Sequence, residues 1–169
     1  SAPKGGLSAF VLESPYDGIE FIRRNEWNGL RGHEAWEFDI DTHTANIVGE
    51  PGQGLNIALQ VLNYTRTSLA CGHVGLADAA LDLAIRFAKE RVVGGKAIFK
   101  HQSISFAIVE AKARIEGARL LAYRAARLCE AGVEHRGETS MAKFAAAEAL
   151  IEAVTVANRV LGGYSGNLD

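Results

Sequence analysis

The sequence predicts an α+β fold: partial β-barrel strands followed by a mainly helical, antiparallel up-and-down bundle, best described as an incomplete four-helix bundle. Three observations predict it. Short alternating apolar segments fill the chain before Gly49. A glycine- and proline-rich stretch, Gly49-Glu50-Pro51-Gly52-Gln53-Gly54, punctuates the change of character. Beyond it, apolar residues recur at intervals of three and four, the period of a helix with one buried face.

The early segments are read as strands. Leu7 to Glu13 is one, and Gly18 to Ile22 is another, after a turn at Ser14-Pro15-Tyr16-Asp17. Trp36 to Ile40 alternates apolar and polar, as a half-buried strand does. Asn25 to His33 carries glycine and is read as a loop. Three strands are too few to close a sheet and leave unpaired edges.

The first helix is expected from about Gly54 to Val92, with Pro51 near its start. Leu55, Leu59, Leu62, Leu69, Leu76, Ala80, Leu83 and Phe87 form its predicted core stripe, and Val93-Gly94-Gly95-Lys96 is its break. The second helix carries Ile104, Ile108, Ala111, Ile115, Ala118, Ala122, Ala125 and Cys129 at alternating spacings of four and three, a bundle seam that ends at Ala131-Gly132. Half of that seam is alanine, so a partner helix can approach closely. The third helix starts near Thr139, read as its N-cap. Ala142, Ala145, Ala149, Ala153, Val156 and Val160 form one face; Phe144, Ile151 and Val154 form another. A helix apolar nearly all round needs covering on several sides, by further segments or a partner subunit.

Composition narrows the function classes. The 169 residues are 48% hydrophobic and 22% charged with net charge −2, which gives nucleic acid or an anionic membrane no electrostatic purchase. Lys96 and Lys100 are too small a basic cluster for nucleic acid, and no apolar run is expected to span a bilayer. Ser1 to Lys4 lead straight into a strand-like segment, with no signal-peptide pattern. The non-methionine start is read as a processed chain, an expression scar or a fragment. Cys71 and Cys129 sit in helical patterns and are expected as buried, reduced thiols. Gly49, Gly52 and Gly54 lack the preceding strand of a dinucleotide fingerprint. Asp39, Asp41 and His43 are read as solvent-facing strand positions, and no metal site is expected.

The ordered segments resemble the acyl-CoA dehydrogenase family, nearest its medium- and short-chain branches. Gly6 to Glu13 with Pro15 to Gly18 is similar to the family's middle β-domain, and Gly29-Leu30-Arg31-Gly32 to its G-x-R-G-S-D-T segment. Asn46 to Gly54 resembles the entry to the carboxyl-terminal helical domain. Glu90-Arg91, Gly95-Lys96 and His101 to Phe106 resemble E-R-x-x-F-G-K…Q, and Leu161-Gly162-Gly163-Tyr164 resembles L-G-G-x-G. The resemblance covers essentially the whole chain. It implies the end of the middle β-domain at 1–48 and the carboxyl-terminal helical domain, lacking its last segment, at 49–169.

The resemblance also implies chemistry. The family uses FAD to oxidise an acyl-CoA thioester to the trans-2-enoyl-CoA. A glutamate takes the α-proton while the β-hydrogen leaves as hydride to the flavin. Electrons pass to an electron-transferring flavoprotein. In most members the glutamate lies beyond L-G-G; in two branches it lies at the position of Thr65, which cannot act as that base. No residue of this chain therefore matches the catalytic glutamate, and the chain alone is expected to be inactive. Asn63 and Arg66 match substrate-binding positions, Asn63 toward the pantetheine arm of CoA. Arg91, Gln102, Arg159, Gly162 and Gly163 match cofactor-binding positions, several directed at the FAD of a neighbouring subunit. That sharing implies a homo-oligomer or a paralogue subunit, in the bacterial cytoplasm or the mitochondrial matrix. The departures from the pattern are Gly94 for an aromatic, Arg159 for a glutamine, Ser165 for the last signature glycine, and His33-Glu34-Ala35 for S-D-T. They leave open a second reading: a non-catalytic helical partner that completes a competent paralogue.

Overall fold

The computed structural model describes residues 6–13, 18–41 and 46–167. The chain forms two compact units that meet at Gln60 and Val61, within the first long helix. The predicted turn at Ser14 to Asp17 and the position of His43 lie outside the described residues.

In the first unit, β1 (Ala9–Val11) pairs antiparallel with β4 (Asn46–Val48), with Phe10 opposite Ile47. The three residues of β4 carry too little alternation to mark a strand in the sequence. β2 (Ile19–Asn25) pairs antiparallel with β3 (Ala35–Ile40), and a register shift between Phe21 and Arg23 marks a bulge. Phe21 packs edge-on to Trp36, 5.6 Å between ring centroids. Cross-strand pairs of this kind stabilise a ribbon, and the Arg23–Glu37 and Arg24–Glu34 ion pairs, each 3.1 Å, add to it at the surface.

The glycines between β4 and the first helix α1 (Gly54–Glu90) serve close packing. Gly54 N–H donates to the Leu7 carbonyl at 2.6 Å, and Gly52 N–H to Ser8 Oγ at 3.0 Å. A Cβ on Gly54 would stand 2.6 Å from the Ser8 carbonyl carbon and 2.7 Å from the Leu7 oxygen. Only glycine lets the two backbones approach this closely.

The second unit is helical. After α1 come a hairpin of β5 (Val92–Val93) and β6 (Lys96–Ala97), then α2 (Gln102–Glu130) and α3 (Arg136–Leu161). The expected break at 93–96 is this hairpin; Gly94 and Gly95 both hold positive φ, +62° and +78°, as a tight two-residue turn of the I′ kind requires. Two-residue strands are beyond sequence periodicity.

Side-chain pairs give the register. Asp78 of α1 meets Lys112 and Arg119 of α2; Arg114 and Arg124 of α2 meet Glu152 and Glu138 of α3. Residue numbers fall on α3 as they rise on α2, so these two run antiparallel. Thr67, in the amino-terminal half of α1, meets Thr139 near the start of α3, while Asp78 further along α1 meets α2 at Lys112 and Arg119, so the order is up, down, up.

The α2 seam is as expected: Ile108, Ala111, Ile115, Ala118, Ala122 and Ala125 are buried. On α3 Ala142, Ala149, Ala153, Val156 and Val160 of the expected face are buried, joined by Ala146 and Ala157, while Ala145 is only half-buried. Three expectations are corrected. Helix α3 starts at Arg136, and Thr139 is not its cap but a fully buried residue whose hydroxyl meets Thr67 Oγ1 at 3.4 Å. The buried stripe of α1 is Ala70, Val74, Ala77, Leu81, Ala84 and Ala88, whereas Leu55, Leu62, Leu69, Leu76 and Leu83 are exposed. The helix packs its small residues inward against α2 and α3 because alanine permits close approach. Cys71, one position round from Ala70, is consequently exposed, and Cys129 is half-buried.

Helix α1 is also long and apolar enough, by length and composition, to cross a membrane. The expectation that no segment meets that test does not hold for it. Leu55, Leu62, Leu69, Leu76 and Leu83 lie outside while Ala70, Ala77, Leu81, Ala84 and Ala88 lie inside, so both faces are apolar.

Candidate functional site

The residues singled out in the sequence fall into two groups on the helical unit. Asn63 and Arg66 lie on the amino-terminal half of α1 and are half-buried. Asn63 sits one turn before Thr67, whose hydroxyl donates to the Asn63 carbonyl at 3.3 Å. That contact is part of the Thr67–Thr139 packing that fixes this stretch of α1. The carboxamide oxygen of Asn63 is buried and has no hydrogen-bond partner. A buried acceptor left unsatisfied is costly. Thr65 is exposed, and its hydroxyl donates to the Leu62 carbonyl at 3.3 Å.

The second group gathers where three helix ends converge. Arg91 follows the last turn of α1, its N–H donating to the Phe87 carbonyl at 2.9 Å, and its carbonyl accepts from Ile98 N–H at 2.8 Å. The β5–β6 hairpin is thereby folded back onto the helix end. Gln102 opens α2, where His101 occupies the cap position without a capping side-chain bond. Its imidazole Nε2 instead lies 3.3 Å from the Val93 carbonyl, tying the hairpin to the start of α2. Uncapped N–H groups at a helix start favour an anion.

Arg159 is in the last turn of α3, and Gly162 ends it at φ +57°. The chain then forms a tight 3-10 turn from Gly162 to Gly166, closed by Ser165 Oγ donating to the Gly162 carbonyl at 2.7 Å. Tyr164 in this turn returns to α1: its ring centroid is 5.5 Å from that of Phe87, and the Arg91 guanidinium carbon is 5.9 Å from it. Arg91, Gln102, Arg159, Gly162 and Gly163 are all exposed at this end. Among the described residues no carboxylate pairs with Arg91 or Arg159.

The two groups are far apart. Asn63 and Arg91 are separated by 28 positions along α1, roughly 42 Å at 1.5 Å per residue. Tyr164 was met in the sequence only as the variable position of a signature. Its signal was an aromatic directly after Gly-Gly, with Phe87 and Arg91 four apart on one helix face.

One charged cluster lies outside both groups. Asp78 binds Lys112 Nζ at 2.8 Å and also pairs with Arg119, and Glu116 bridges the same two cations. Burial pushes the Asp78 carboxyl up, but its bonds to Lys112 and Arg119 outweigh this and hold it below the usual carboxylate range. The bond to Asp78 raises Lys112 and Arg119. The cluster joins α1 to α2 and is structural. Among the described residues no group of three or more His, Cys, Asp or Glu could hold a metal.

The second unit is an antiparallel, alanine-seamed helical bundle. The family model for the acyl-CoA dehydrogenase carboxyl-terminal domain matches residues 52–168, and the chain belongs to the acyl-CoA dehydrogenase family. It is 37% identical over 162 residues to an acyl-CoA dehydrogenase of Bacillus subtilis (strain 168), covering 94% of this chain and 43% of that protein. It is 38% identical over 170 residues to the glutaryl-CoA dehydrogenase of Desulfococcus multivorans, covering 97% and 43%. The fold is similar to that of butyryl-CoA dehydrogenase from Megasphaera elsdenii, with a TM-score of 0.92 and 32% identity over 96% of this chain and 43% of that one. The chain thus spans less than half the length of these relatives.

Proposed function

We propose that this chain is the nucleotide- and thioester-binding portion of an FAD-dependent acyl-CoA dehydrogenase that oxidises an acyl-CoA to the trans-2-enoyl-CoA. The carboxyl-terminal part of the middle β-domain ends near Val48 and the helical domain follows. The observation that carries the reading is the convergence of Arg91, Gln102, Arg159 and Gly162-Gly163 at one end of the helical unit, with no carboxylate paired to Arg91 or Arg159 among the described residues. The orphaned Asn63 oxygen at the other end supports it.

The residues fit the group they would hold. Arg91 offers a forked set of donors to a diphosphate. Gln102, at the uncapped start of α2, offers a carboxamide beside a positive helix end. Gly162 and Gly163 present backbone with no side chain, so a flat nucleotide can lie against it. Asn63 accepts an amide N–H of the pantetheine arm, and Arg66 orders the same helix face. When bound, FAD supplies the hydride acceptor at its N5. The proton from the α-carbon goes to a glutamate outside this chain, since Thr65 has no carboxylate. The roughly 42 Å between the two groups is longer than one dinucleotide extends. Thus Arg91 serves a different FAD from the one beside Asn63, the arrangement of a homo-oligomer or a paralogue pair. Electrons leave to an electron-transferring flavoprotein, and the compartment is the bacterial cytoplasm or mitochondrial matrix.

Purifying the protein with its natural flanking sequence tests this. A flavin spectrum that bleaches on anaerobic addition of an acyl-CoA is expected; a colourless protein that no acyl-CoA alters would refute it. A second reading, a non-catalytic partner completing a competent paralogue, is favoured by the exposed Leu62, Leu69, Leu76 and Leu83 on α1. Co-expression with a full-length paralogue separates the two. Migration of the chain alone, folded and monomeric, on a sizing column removes the second.

A further inference from the structure

Arg91 follows a helix end, is exposed, and has no acidic partner among the described residues. A free arginine side chain samples many rotamers, and binding a ligand with it costs that freedom. Here one aromatic ring restricts it. The Arg91 guanidinium carbon lies 5.9 Å from the Tyr164 ring centroid. The same ring packs against Phe87, with centroids 5.5 Å apart and planes at 53°. Phe87 and Arg91 are four residues apart, so they share one face of the α1 end. Tyr164 reaches them because Gly162 turns the chain at φ +57°. The turn is then locked by Ser165 Oγ to the Gly162 carbonyl and by Asn167 N–H to the Tyr164 carbonyl, 2.7 and 3.2 Å.

We infer that Tyr164 is a positioning residue for Arg91: anchored by Phe87, its ring holds the guanidinium so that the N–H donors remain free for a phosphate of the bound dinucleotide. The inference rests on the proposed role of Arg91 toward FAD. A guanidinium beside an aromatic ring is held by the ring's electron-rich face. Its five donors stay available because none is spent on the ring or on a carboxylate. The pair links the end of α3 to the end of α1, so the glycine turn and the arginine form one ligand-facing unit.

The experiment is a double-mutant cycle on the protein as encoded in full, stripped of flavin and titrated with FAD by quenching of its fluorescence. Arg91→Ala is expected to weaken FAD about ten- to a hundredfold, the loss of a charged hydrogen bond. Tyr164→Ala is expected to weaken it about two- to fivefold, the contribution of an exposed cation–π contact, and Tyr164→Phe to bind as the parent does. In the Arg91→Ala background, Tyr164→Ala is expected to have no further effect. Should Tyr164→Ala fail to fold by circular dichroism, Tyr164→Leu is read instead, since it keeps bulk against Phe87 without an aromatic face. If Tyr164→Ala or Tyr164→Leu weakens FAD as much without Arg91 as with it, the positioning role is overturned while Arg91 keeps its own. FAD binding by Tyr164→Phe as weak as that of Tyr164→Ala also overturns it. If Arg91→Ala leaves FAD affinity unchanged, the cofactor role of Arg91 falls first.

Discussion

The two units of this chain are built on different terms. Every buried hydrophobic side chain among the described residues lies between Ala70 and Val160, in the helical unit. The β unit has none. Phe10, Phe21, Trp36, Phe38 and Ile47 each remain more than a third exposed, and its strands form isolated two-stranded ribbons. A two-stranded ribbon is marginal alone in water, whereas helices that interdigitate small side chains form a core by themselves. Stability should therefore reside in the helical unit, and the β unit should depend on local ties such as Gly54 to Leu7.

The largest test removes core from the helical side. Leu81 is 1% exposed, and Leu81→Ala should cost about 2–5 kcal/mol, read as a lowered urea midpoint with unchanged slope. No loss would mean that the helices do not carry the stability.

On the β side, Gly54→Ala pushes a Cβ into the backbone at Leu7 and Ser8, with an expected cost of about 1–3 kcal/mol. Its effect should stay local. Amides of β1 and β4 should exchange faster while those of the α2 seam keep their protection. Loss of protection in α2 would show that the two units are not separate in stability.

Asp78→Asn probes the tie between α1 and α2. It should cost about 1–2 kcal/mol near neutral pH. The Asp78 carboxyl titrates below its ordinary 3.8 in the folded chain. Its contribution is thus full above that value and is lost as pH falls through the lowered folded one. The gap between parent and variant should close in acid below about pH 4; a gap that widens would contradict the ion pairs. The smallest effect is Thr139→Val, about 1 kcal/mol, because Thr67 keeps its bond to the Asn63 carbonyl.

Legibility in the sequence followed periodicity and size. The α2 seam was plain, since its four-three spacing has no competing face. On α1 the leucines suggest the wrong stripe because leucine outweighs alanine in any hydrophobic pattern, whereas the helix buries mainly alanines. Thr139 looked like a cap because hydroxyls favour helix starts; nothing in the sequence revealed that Thr67 would meet it. The β5–β6 hairpin and β4 were too short to show a period. Of the candidate residues, Arg91, Gln102, Arg159, Gly162, Gly163, Asn63 and Arg66 are marked by motif alone, while Tyr164 stands in the sequence only as the variable position of L-G-G-x-G.

The sequence by itself determined three long helices, short strands before them, and the polar residues that do not belong to any core. Periodicity encodes these locally, within a few turns of one helix or strand. Which face of α1 turns inward, and which aromatic ring meets Arg91, were decided only by tertiary structure. Both depend on how closely one helix can approach another, and that distance is set jointly by residues far apart along the chain.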